Sequence, residues 1–180
     1  MKTYWYGFGA SVFIFQQNFI TMKNSEKILE VLSDLIEINN DRIVGYERAV
    51  DGVNHEETSL KTLFYQLVEE SRECKDALTK KLKSLTHNSP EETVVARGEV
   101  YKTWMNKKVK YTGNDTLALL SSCESAEDAI QDAYSAAARF SGEFPMDISL
   151  MISTQKKILK MSHDLIRSQR EEHKLSVYPA

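Results

Sequence analysis

Ser25 to Asp51 reads SEKILEVLSDLIEINNDRIVGYERAVD, and its spacing decides the fold. Ile28, Leu32, Leu35, Asn39, Ile43, Tyr46 and Val50 recur at steps of three and four, which puts them on one stripe of a helix. Asn24 or Ser25 can cap its start, with Glu26 in the first turn. Gly52 and Asn54 end it, and Asn54-x-x-Glu57 has the pattern of a capping box for a second helix. One stripe residue is polar. Asn39 sits near the middle of an otherwise apolar face.

Working outward, the same period returns. A second helix is predicted over Glu57 to Leu85, with Leu60, Leu63, Phe64, Leu67, Ser71, Cys74 and Leu78 facing inward. Thr86 to Pro90 breaks the pattern. A further helix is expected from Thr93 to Tyr111, another from Asp115 to Phe140 after the Thr112-Gly113-Asn114 stop, and a last one from Pro145 to Glu172. Four of these five are long and striped enough to pack as a bundle. The Thr93 to Tyr111 segment then serves as an extra crossover helix between bundle helices two and three, the long connection that ferritin-like topology uses. The fold class read from the sequence is all-α, a four-helix bundle with that crossover. No repeat, glycine-rich phosphate loop or strand pattern occurs, so a nucleotide-binding α/β domain is excluded.

Composition narrows the function. The 180-residue chain is of single-domain size, and a net charge of −3 offers no general attraction to nucleic acid. Seven glycines and three prolines suit long helices rather than many short strands. Cys74 and Cys123 form neither a metal nor a disulfide pattern. Both fall on apolar faces, where reduced buried thiols and a cytoplasmic location are expected.

Residues 1–21 read differently. Thr3 to Met22 carries no charge and is crowded with Tyr4, Trp5, Tyr6, Phe8, Phe13, Phe15 and Phe19. A signal peptide needs a compact aliphatic core and a small-residue cleavage site, and Gln16, Gln17 and Asn18 interrupt the stretch where a membrane span is most apolar. The expectation is therefore an extension outside the domain, with translation starting at Met22, a helical domain over 22–175 and a frayed tail over 176–180. A weak anchor or secretion signal is the alternative; stable membrane insertion is not expected.

Counting from the turns puts several polar residues at one level. Asn39 and Ser71 lie roughly 16 residues on either side of the first turn, and Glu127 and Lys160 lie similarly about the turn near Gly142, so each arm rises ~24 Å. Asn39, Ser71, Cys74, Glu127, Gln155 and Ser162 form this core polar level. At about 100° per residue, Asn39 and Ser71 point into the core, Glu127 lies about 45° from the centre of its stripe, and His163 about 75° off its own. A buried carboxylate must be paired, bonded or protonated. Arg42, three residues beyond Asn39, is one candidate partner for Glu127 and His163 is another.

Two segments carry a family resemblance: SDLIEINNDRIVGYERAV from Ser33 to Val50, and YTGNDTLALLSSCESAEDAIQDAY from Tyr111 to Tyr134. With His163-Asp164-Leu165-Ile166-Arg167, they resemble a bacterial family of ferritin-like four-helix bundles of unassigned function, over about Ser25 to Arg170. In the wider superfamily, metal is held by Glu on the first helix, Glu-x-x-His on the second, Glu on the third and Glu-x-x-His on the fourth. Carried over, these positions become Asn39; Ser71 and Cys74; Glu127; and Lys160 with His163, or Leu159 with Ser162 if the register slips by one. Iron needs oxygen-rich ligation, which one central carboxylate does not supply.

The resemblance thus implies a degenerate di-metal site with no cofactor and no catalysis. The implied protein works through contacts with an unknown protein partner, in a role tied to stress. A residual mononuclear site for iron, manganese or zinc, using Glu127 and His163 with Glu70 or Cys74, is the alternative. A small-molecule carrier in the bundle core is another. An apolar edge formed by Trp104, Met105, Val109 and Tyr111 points to a homodimer.

Overall fold

A computed structural model describes the backbone of residues 8–86, 98–107 and 115–177, with side chains from residue 24 onward in those ranges. Within them the chain is all-helical: α1 (Phe8–Gly52), α2 (Thr58–Leu85), α3 (Glu99–Lys107), α4 (Thr116–Ala138) and α5 (Met146–Val177). No helix among the described residues is long and apolar enough to cross a membrane.

Local chemistry accounts for most of the boundaries. Asp115 caps α4, its side chain accepting the Ala118 N–H at 2.8 Å. The N–H groups of Ile148 and Ser149 both reach the Pro145 carbonyl at 3.1 Å, which opens α5. At the start of α2 the capping box does not form. Glu57 makes no side-chain cap and instead accepts the Thr116 hydroxyl at 2.8 Å, tying α2 to the start of α4. α1 begins at Phe8 rather than Ser25, so Asn24 and Ser25 lie inside a helix and not at its start. No proline interrupts the backbone between Phe8 and Ser25. α5 likewise continues to Val177, past the expected end at Glu172.

Side-chain pairs give the helix directions. α1 packs on α2, α4 on α5, and α3 on both α1 and α4. Bonds of Asn39 to Tyr134 and of Arg42 to Glu127 make α1 and α4 antiparallel. Lys81 to Asp147, Gln155 to the Cys74 carbonyl and Ser162 to Glu70 do the same for α2 and α5. Arg72 to Glu47 and Lys75 to Asn40 make α1 and α2 antiparallel as well, so α2 and α4 run the same way, and α3 carries the chain back between them, parallel to α1.

Acidic side chains of α1 dock α3. Asp34, fully buried, accepts the N–H groups of Gly98 at 2.9 Å and Tyr101 at 3.0 Å, so it caps a helix of which it is not part. Glu30 accepts the Glu99 N–H at 3.3 Å, and Asp41 accepts the Trp104 indole N–H at 3.0 Å. A Cβ on Gly98 would stand 2.2 Å from the Glu30 carboxylate, so glycine is what admits this approach. Trp104 is buried, not an exposed edge; its ring closes on α1 through Asp41. Val109 and Tyr111 lie outside the described residues, which leaves the expected dimer edge with Met105 alone on the described surface.

The buried apolar residues fall into two groups. One runs from Ile28 to Ile38 with Leu78, Ile130, Ile148 and Leu159; the other joins Ile43 to Val53 with Phe64, Leu67, Leu120 and Ile166. Between them lies a polar layer.

Candidate functional site: an arginine-centred polar layer

Every described helix but α3 contributes to the layer. Asn39 and Arg42 come from α1 between Ile38 and Ile43, Ser71 from α2, Glu127 from α4, and Gln155 and Ser162 from α5; all six are buried. Their helices interdigitate two apolar groups, so the layer falls where the stripe residues of four helices turn polar at once.

Arg42 is its centre. The Nε donates to Glu127 Oε1 at 2.8 Å. The Nη1 donates among Glu70 Oε1 at 2.8 Å, Ser71 Oγ at 2.7 Å and the Leu67 carbonyl at 3.2 Å. Three acceptors thus share its two hydrogens. Tyr46, one turn beyond Arg42, donates its hydroxyl to the same Glu127 oxygen at 2.6 Å. Ser162 reaches from α5 to Glu70 at 2.7 Å. Burial alone would lower the guanidinium pKa, but the charge of Glu127, with Tyr46 and Glu70 beside it, more than reverses this and raises it above its ordinary value. The cation is locked on.

A second chain of bonds runs beside the first. The Asn39 amide donates to the Leu35 carbonyl at 2.8 Å and to the Tyr134 hydroxyl at 2.7 Å. Tyr134 donates to Gln155 Oε1 at 2.9 Å, and Gln155 donates to the Cys74 carbonyl at 3.0 Å. This relay crosses α1, α4, α5 and α2 in turn. Burial, before any other cause, pushes the Tyr134 hydroxyl above its ordinary pKa, so it stays a neutral donor.

Cys74 takes part through its backbone, and its thiol is pushed up to about 11, by burial first and then by Glu70. Cys123 is buried and free as well, and burial raises its pKa further. Neither thiol has the lowered pKa that nucleophilic chemistry needs.

His163 is turned elsewhere. Its Nε2 lies 2.8 Å from Asp128 and its Nδ1 3.1 Å from Asp164, on the outer side of the α4–α5 seam. The structure brings Glu127 and Glu70 together around Arg42, with Ser71 and Ser162, and leaves His163 out. As a metal donor set the layer does not fit. A fixed guanidinium stands among its two carboxylates, so a second cation there would meet like charge at contact distance. Among the described residues no group of three or more His, Cys, Asp and Glu side chains could hold a metal ion. Among the described residues, three buried polar atoms in the layer have no hydrogen-bond partner: Arg42 Nη2, Glu127 Oε2 and Asn39 Oδ1. The first two lie on the two members of one ion pair.

Tyr46 and Tyr134 are the members that residue spacing does not single out. Both sit on apolar stripes and look like core; the available signal is that a buried phenol needs a hydroxyl partner at its own level.

Fold and layer together define an all-helical domain whose polar centre is an ion-pair network. The chain belongs to a family described as a domain of unknown function (DUF2383), which matches residues 27–139. That span holds Asn39, Arg42, Tyr46, Glu70, Ser71, Glu127 and Tyr134, and stops before α5. No curated protein and no solved structure gave a significant match.

Proposed function

We propose that this chain is a ferritin-like four-helix bundle, with α3 as its crossover, that acts through protein contacts and carries no catalytic metal. The observation that supports this reading is the place of Arg42. A guanidinium with Glu127 and Glu70 on two sides supplies the positive charge that metal ions supply at this level of ferritin-like bundles. The remaining polar groups bond each other across four helices, which suits a structural role. The up-down-down-up order of α1, α2, α4 and α5 supports the ferritin-like topology. A bacterial, cytoplasmic, stress-related setting fits the same reading.

A mononuclear site on Glu127 and His163 is less well supported, because His163 is held by Asp128 and Asp164. A carrier in the bundle core has less support too: a cleft of about 420 Å³ lies at the surface between α2 and α5. The deciding experiment is metal analysis of protein purified without chelator or affinity-tag metal, with melting in the presence and absence of chelator. The expected result is iron, manganese and zinc far below one per chain and no chelator effect. Stoichiometric metal lost in Glu127→Gln overturns the reading.

A further inference from the structure

We infer that the cleft between α2 and α5 is a binding site for a small arylalkylamine, a primary amine carried on an apolar aromatic body. The ligand lies on the outer seam of the bundle, apart from the polar layer, so this site goes beyond the function proposed above.

Three side-chain bonds span the seam and frame the cleft. Lys81 to Asp147 closes one end and Ser162 to Glu70 the other. The Gln155 amide, donating to the Cys74 carbonyl at 3.0 Å, lies at the floor between them. Above that floor the two helices do not fill the seam. A cleft of about 420 Å³ remains, running along α5 from Asp147 to Ile158, a rise of ~16 Å. The register of the three bonds sets Ala77 level with Met151, and a methyl group on the α2 side is what leaves the gap open.

Volume and lining suit a small molecule. About 420 Å³ falls within the range of ~300–1,000 Å³ that small-molecule sites occupy. The wall is apolar and faces water, with Leu150 63% exposed and Ile158 38% exposed. An apolar body laid along it removes that surface from water. Met151 and Cys74 both line the cleft, and their sulfurs favour the edge of an aromatic ring over a plain alkyl chain.

Charge decides the head group. The lining holds three carboxylates, Glu70, Glu73 and Asp147, and no cation among the described residues. Two are already matched, Glu70 by Arg42 and Asp147 by Lys81. Gln155 is satisfied at both ends of its amide, by the Tyr134 hydroxyl and by the Cys74 carbonyl, so the floor asks for no further polar group. Glu73 differs. It is exposed on the rim and pairs with no cation among the described residues. One ammonium group is what this cleft lacks, and a carboxylate ligand would meet like charge there.

Calorimetric titration of the full chain at neutral pH with phenylbutylamine, phenylbutanol and phenylbutyrate tests this. The amine is expected to bind one per chain with a Kd below ~1 mM. The alcohol should bind about fivefold more weakly, and the acid more weakly still. Glu73→Gln removes the charge and should bring the amine to within about twofold of the alcohol. Ala77→Phe, at an exposed position, fills the gap beside Met151 and should weaken the amine at least ~tenfold with no loss of melting temperature. Met161→Gln, exposed on the same helix but outside the cleft, should leave the Kd as in wild type. No saturable binding of the amine overturns the site. So does an amine that binds no better than the alcohol, or one indifferent to Ala77→Phe. A cleft covered by another protein's helix or by a second copy would show as the first of these failures. All are read apart from metal content and chelator response, so the proposed function stands or falls separately.

Discussion

Arg42 on α1 and Glu127 on α4, 85 residues apart, form an ion pair at 2.8 Å with side chains 1% and 0% exposed. Two desolvated charges in that position are costly unless each is bonded by further groups. Glu70, Ser71 and the Leu67 carbonyl do this for Arg42, and Tyr46 does it for Glu127. The pair holds the two apolar groups apart and fixes the relative register of α1, α2 and α4.

Removing one partner of this pair should hurt more than removing both. Glu127→Gln keeps an acceptor for Arg42 and Tyr46 and is expected to cost about 1–2 kcal/mol. Glu127→Leu leaves Arg42 with Glu70 as its remaining counter-charge and should cost about 2–4 kcal/mol. Arg42→Met combined with Glu127→Leu should recover much of that loss. Urea unfolding of wild type, Arg42→Met, Glu127→Leu and the double variant gives the cycle directly; simple additivity of the two single changes would show that the pair is not coupled.

The relay through Tyr134 has its own signature. Tyr134→Phe removes a hydroxyl that accepts from Asn39 and donates to Gln155, so two buried groups lose a partner at once. A loss of about 1–3 kcal/mol is expected. Adding Gln155→Leu removes one of the stranded groups and should make the double variant no less stable than the single one. A double variant with fully summed losses would mean that Gln155 acts independently of Tyr134.

Asp34 predicts a pH effect of definite sign. Burial raises its pKa above the usual carboxylate value, although the Gly98 and Tyr101 N–H groups pull the other way. The folded chain therefore holds the Asp34 proton more tightly than the unfolded chain. Its contribution to stability is greatest below pH ~3.8 and falls as pH rises through the folded pKa, levelling off above it. The stability of wild type minus that of Asp34→Asn should follow this course in denaturant titrations at stepped pH, a course opposite to that of a salt-bridged carboxylate. At neutral pH, Asp34→Ala should cost about 1–2 kcal/mol as α3 loses its cap, with a shift in Trp104 emission reporting the undocking.

Thiol chemistry offers a check on burial. With a pKa of about 11, Cys74 has roughly one thiolate per thousand chains at pH 8. Alkylation of the folded protein at pH 8 should be slower than that of a free thiol by two orders of magnitude or more, and should speed up on unfolding. Rapid labelling at Cys74 in the native chain, located by peptide mapping apart from Cys123, would mean that the cleft between α2 and α5 opens to this thiol.

Much of this architecture was written in the period of the apolar residues. Helical spacing from Ile28 to Val50, from Leu60 to Leu78 and from Ile148 to Ile166 determined that these stretches are helical and that turns follow Gly52 and precede Met146, because burial of a stripe is a local property of three- and four-residue steps; it missed the start of α1 at Phe8 and the end of α5 at Val177. Asp115 was readable as a cap for the same reason: the bond spans three residues. Counting residues from each turn gave the level of Asn39, Ser71 and Glu127, since helical rise is constant. Tertiary structure alone decided which of these groups bond. Arg42 and Glu70 were edge positions on their own helices, and only the approach of α1, α2 and α4 turns both edges inward onto Glu127. Tyr46 and Tyr134 fit an apolar stripe whether or not their hydroxyls find partners, so spacing says nothing of them. The cap that Asp34 places on α3 spans 64 residues to Gly98, and Trp104 reaches Asp41 across 63. Hydrogen bonds and ion pairs act over about 3 Å in space whatever their separation in the chain, and no periodicity encodes which distant turn will supply the other half.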